Sequence, residues 1–102
     1  MKATELISGL PGEDLVRRGL ADFSAGLDTV PACLVGISPT RLRRAGLLPS
    51  TVTREIPDAE LKIYRRLCAE GGDAYSRYNA LMREWVSFEQ ALEHRLRREH
   101  RA

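Results

Sequence analysis

The sequence predicts an all-helical single domain, and three observations predict it. Apolar residues recur at helical spacing through three long stretches. Residues that start and stop helices punctuate the chain: Thr29, Ser38, Asp58 and Asp73 as N-caps, and Gly26, Gly36, Gly46 and Gly71-Gly72 as terminators. Only one stretch reads as extended, and a lone strand has nothing to pair with.

Taken in order, Lys2 to Leu10 reads as a short helical or irregular lead with Leu6, Ile7 and Leu10 free to dock. Pro11-Gly12 interrupts it. A helix follows from Gly12 to Ala25, because Pro suits a first turn, Glu13 and Asp14 favour the positive end of the helix dipole, and Leu15, Val16, Leu20 and Phe23 form one stripe. Gly19 in its middle costs about 1 kcal/mol relative to Ala, which marks a close approach of another helix. Thr29 and Pro31 open a helix of two turns that Gly36 is expected to close. Ser38 and Pro39 open a second, Pro39 to Ala45, stopped by Gly46. Leu47 to Pro57 is an extended connector bounded by prolines. Asp58 then caps a helix to Glu70, whose expected buried stripe is Leu61, Tyr64, Leu67 and Cys68, with Lys62, Arg65 and Arg66 off it. Residues 58–100 form an αα-hairpin across Gly71-Gly72. Its second helix, Asp73 to Arg98, carries Tyr78, Leu81, Met82, Trp85, Val86, Phe88, Leu92 and Leu96 at helical spacing and spans roughly 39 Å.

The totals bound the function. A chain of 102 residues holds one domain, and 43% hydrophobic with 29% charged residues is a globular composition. The net charge is only +2, so a binding footprint for nucleic acid must be local. His94 and His100 are the only histidines. They stand six apart, whereas neighbours on one helical face stand three or four apart, so they do not make a metal or acid–base pair. Cys33 and Cys68 have no ligand-spaced partners and read as two buried thiols. No catalytic fingerprint is present. The sequence therefore predicts a non-enzyme without metal or cofactor. No stretch approaches 18 apolar residues and no leader is evident, which points to a cytoplasmic protein rather than a membrane one.

One segment carries a motif. Residues 28–45 place Ala32 within a first helix, Gly36 four positions on, Ile37 directly after it and Leu42 within a second helix. This arrangement resembles the helix-turn-helix of DNA-binding proteins. Independently of the resemblance, a small residue lets two helices cross closely, and a Gly accommodates positive φ in a turn. The resemblance makes Pro39 to Ala45 the recognition helix and the upstream Gly12 to Ala25 helix its support. Thr40, Arg41, Arg43, Arg44 and Arg54 are then the candidate DNA contacts, since Ser38 to Arg54 carries four positive charges and no negative one. On this reading the chain is a small regulatory protein that binds DNA as a dimer. The alternative is a protein-interaction module without DNA binding, an adaptor or small partner protein. It would use the narrow apolar stripe at Leu92 and Leu96 on the last helix for a homodimer or a protein partner.

Overall fold

The computed structural model describes residues 3–101, and side chains over residues 5–98; Lys2 and the side chain of His100 lie outside the described residues. Within them the fold is all-helical and contains no strand. Six helices follow one another: α1 (Ala3–Leu6), α2 (Glu13–Ser24), α3 (Val30–Ile37), α4 (Pro39–Arg44), α5 (Ala59–Glu70) and α6 (Ala74–Arg101).

Local chemistry sets most of the boundaries. Thr29 Oγ1 accepts the Ala32 N–H at 3.3 Å at the start of α3, and donates to Asp22 Oδ2 at 2.7 Å, which ties that start to α2. Asp73 accepts the Ser76 N–H at 3.1 Å at the start of α6. That bond, and a second from the Ser76 hydroxyl, hold the Asp73 carboxyl below its ordinary pKa. Gly26 and Gly46 take positive φ directly after the last turns of α2 and α4. In each case the residue beyond the Gly donates back into the helix, Leu27 to Asp22 O and Leu47 to Leu42 O, both at 2.9 Å. Asp58 occupies the N-cap position of α5 in the left-handed region, at φ 53°, without a side-chain cap bond.

Two layers share one core. The helix α2 crosses α3 closely: a Cβ on Gly19 would stand 2.6 Å from the Pro31 carbonyl oxygen. That is the close approach the sequence announced. In turn α3 packs on α5, and α5 on α6. Trp85, Phe88 and Leu92 of α6 are buried with Phe23, Leu34 and Ile63. The long helix of 28 residues runs about 42 Å, nearly the 46 Å length of the molecule. Its final turns lie on the N-terminal segment, where Arg95 donates to Leu6 O at 2.9 Å and Ser8 O at 2.7 Å while Leu6 and Ile7 are buried.

Three expectations are corrected. Gly36 does not end α3 through positive φ; it is helical, and α3 continues to Ile37. A side chain there is excluded by packing, since a Cβ would meet Ile56 Cβ at 3.0 Å. The buried face of α5 is Ala59, Ile63 and Leu67, while Leu61, Tyr64 and Cys68 are exposed. Both strips have helical spacing, and α3 covers only the first. Consequently only Cys33 is a buried thiol.

Candidate interaction surface

The residues proposed from the sequence fall into different environments. Ala32 and Leu42 of the α3–α4 corner are fully buried, whereas Ile37 and Ala45, also expected to face inward, are only partly buried. Ser38 alone separates the two helices, where a helix-turn-helix takes a turn of about three to four residues. Six residues give α4 about 9 Å of length.

The basic residues there are largely engaged with the protein itself. Arg54 is not a surface contact. Its side chain is 22% exposed, and its guanidinium donates to Phe23 O at 2.9 Å and Leu27 O at 2.7 Å. It also pairs with Asp28 and lies 5.0 Å from the Phe23 ring centroid. A cation at the carbonyl end of α2 satisfies acceptors the helix leaves open. Arg43 donates Nε–H to Val52 O at 3.0 Å, fixing the connector. Arg41 pairs with Glu89 of α6 at 3.2 Å, and the same carboxylate oxygen accepts from the Ser38 hydroxyl at 2.9 Å. Thr40 and Arg44 are exposed. The five candidates thus divide into two free side chains, one paired across helices and two bonded to main-chain carbonyls.

The other candidate interface also changes. Leu92 is fully buried in the chain's own core, and Leu96 is partly buried against it. Leu92 is therefore core, and with Leu96 it borders a small hollow of about 150 Å³ beside Arg41, Glu89 and Glu93.

A different apolar surface lies along the α5–α6 hairpin, on the side of its Gly71-Gly72 turn. Leu61 is 46% exposed and Tyr75 67%, with Tyr64 and Val86 also exposed. At about 100° per residue, Tyr75, Asn79, Met82 and Val86 fall on one strip of α6, beside the buried strip of Trp85 and Leu92. On α5, Leu61, Tyr64 and Cys68 form the matching strip. Between them runs a groove of about 460 Å³ lined by Glu60, Leu61, Tyr64, Tyr75, Tyr78 and Asn79. Tyr64 and Tyr78 meet edge to face, with centroids 6.0 Å apart and planes at 82°. A second hollow of about 470 Å³ adjoins it and shares Glu60 and Leu61, with Gly36, Ile37, Ile56, Asp58 and Ala59 completing its lining. All three tyrosines of the chain gather here. Compared with known protein families, curated proteins and solved structures, the chain matches none.

This surface was not legible in the sequence because Leu61, Tyr64 and Tyr78 lie on stripes that read as core. The signal that marks it is surplus: α5 carries two apolar strips, and a helix lying on one neighbour layer buries one. Clustering of Tyr64, Tyr75 and Tyr78 around the Gly71-Gly72 turn is the second signal. No group of three or more His, Cys, Asp or Glu among the described residues is placed to hold a metal. No helix among them is long and apolar enough to cross a membrane.

Proposed function

We propose that the protein is a helical protein-interaction module that binds its partner through the exposed face of the α5–α6 hairpin. The observation that carries this reading is the grouping of exposed Leu61, Tyr64 and Tyr75 with Tyr78 along one groove. Exposed apolar residues scattered singly need no explanation, whereas apolar and aromatic residues grouped on one face mark contact surfaces. Tyrosine is also the residue type enriched where interfaces concentrate their binding energy. Native mass spectrometry of the chain purified from its own cells tests it, with Tyr75→Asp as the variant. Tyr75 is mostly solvated, so this variant keeps its fold and loses the associated protein. A complex of undiminished occupancy in the folded variant would refute the reading.

DNA binding through α4 stands second, favoured by the exposure of Thr40, Arg41 and Arg44 on one short helix. It ranks lower because Arg43 and Arg54 are bonded to main-chain carbonyls and Glu89 offsets Arg41. Fluorescence anisotropy with a random duplex decides it. A DNA binder reaches a Kd of about 10⁻⁴ to 10⁻⁶ M at physiological salt and weakens steeply as salt rises. If α4 is the contact, Arg41→Ala with Arg44→Ala removes that binding; unchanged affinity eliminates α4.

A further inference from the structure

We infer that the tyrosine groove receives an arginine side chain of the protein partner, laid against the tyrosine rings with its guanidinium facing Glu60. The inference rests on the interaction reading and specifies the chemistry of the occupant. Tyr64 and Tyr78 stand nearly perpendicular and make a corner of two aromatic walls. A planar cation lies flat on one ring and turns its N–H edge outward, gaining from the negative ring face.

Glu60 supplies the fixed charge. Its Oε2 accepts a long bond of 3.4 Å from the Tyr78 hydroxyl, and Oε1 is left for an incoming donor. Glu60 has no ion pair with a basic side chain among the described residues. The nearby cations are turned elsewhere, Lys62 to Asp28 at 3.9 Å and Arg77 to Glu70 at 2.6 Å. Asp58 lines the adjoining hollow and adds a second carboxylate to the same side. A carboxylate or phosphate ligand would meet these two charges at close range and is disfavoured. Burial, and then the neighbouring Glu60 charge, push the Tyr78 phenol above its ordinary pKa, which fits a site of negative potential. Lysine has the charge but neither the plate shape nor the weak hydration that stacking on a ring rewards.

The test is an NMR titration of the full chain, following the ring protons of Tyr64, Tyr75 and Tyr78. Three capped amino acids serve as probes: N-acetyl-arginine methylamide, its neutral isostere N-acetyl-citrulline methylamide, and N-acetyl-leucine methylamide. The arginine probe is expected to shift the Tyr64 and Tyr78 rings saturably and to bind about two- to fivefold tighter than citrulline, the scale of an exposed cation–π contact. Glu60→Gln, checked for an unchanged amide spectrum, reduces that ratio, and the part carried by the rings remains. Equal binding of arginine and citrulline would overturn the inference, as would binding of the leucine probe alone. In both cases the face remains an apolar contact surface and the interaction reading survives. No ring shift with any probe overturns the inference and leaves the interaction reading to the Tyr75→Asp experiment.

Discussion

Replacing Gly19 with Ala tests the packing that positions every other helix. In an open helix interior the change is stabilising by about 1 kcal/mol. Here the added methyl would lie 2.6 Å from the Pro31 carbonyl oxygen and 2.9 Å from Val35 Cγ2. Ordinary van der Waals contact begins near 3.4 Å, about 0.8 Å farther from the carbonyl and about 0.5 Å farther from the methyl, and the nearer obstacle is main chain, which no rotamer change removes. The helices must separate, and a gap of about 0.5–1 Å forfeits about a quarter to a half of each contact's attraction along the crossing. Overpacking of this kind costs about 1–3 kcal/mol, occasionally more. With a cost at or above the top of that range, the net expectation is a loss of about 2 kcal/mol. For a domain near 100 residues that lowers Tm by about 8–16 °C. Urea and thermal unfolding followed by circular dichroism measure it, and adding Val35→Ala should recover little because the Pro31 carbonyl remains. A Gly19→Ala protein as stable as the wild type, or more so, would refute the α2–α3 crossing.

Four further outcomes follow from particular contacts. Arg54→Ala removes donors to the Phe23 carbonyl in the last turn of α2 and to the Leu27 carbonyl beyond it, and an ion pair, so urea unfolding should show a loss of about 2–3 kcal/mol; a neutral effect would return Arg54 to the surface. Leu92→Ala should cost about 2–4 kcal/mol in the same assay, as a core leucine does, and a chain ending at Phe88 should fail to fold cooperatively. Native labelling with a thiol reagent should modify Cys68 at once and Cys33 only on unfolding, because Cys33 is buried and burial, with the Asp28 charge next, raises its pKa. Finally, the Gly9 N–H, donating to Glu13 at 2.8 Å, and the Arg17 bond next hold Glu13 below its ordinary pKa of 4.5. A lowered pKa means the unfolded chain binds the proton first. The contribution is complete above about pH 4.5 and is lost as pH falls through the folded value. Glu13→Gln should flatten stability between about pH 5 and pH 3; an unchanged slope would assign it elsewhere.

Helix boundaries were most legible where they rest on a bond or a φ angle that few residue types supply; Ser38 and Asp58, also expected as N-caps, make no side-chain cap bond. Thr29, Asp73, Gly26 and Gly46 act where the sequence places them. Gly19 was legible for the same reason, since a helix-interior glycine is costly unless space is short. The rotation of α5 was not, because Ala59-Ile63-Leu67 and Leu61-Tyr64-Cys68 both satisfy the helical period, and the choice between them is made by α3, remote in sequence. Arg54 illustrates a second limit. Counting charges along Ser38 to Arg54 treats guanidinium groups as exposed, while a long side chain folds back wherever unsatisfied carbonyls lie within reach. The burial of Leu92 was not legible because helical spacing along α6 alone does not say which of its apolar positions other parts of the chain cover.

The surface reading is tested most directly by site-specific photo-crosslinking in the cells that make the protein, with p-benzoylphenylalanine placed at Tyr75 in one variant and at Arg44 in another. Both positions are exposed, on the hairpin face and on α4 respectively. Irradiation is expected to yield a discrete protein adduct from the Tyr75 position and none from Arg44. A nucleic-acid adduct at Arg44 with no protein adduct at Tyr75 would contradict the account and put α4 at the working surface.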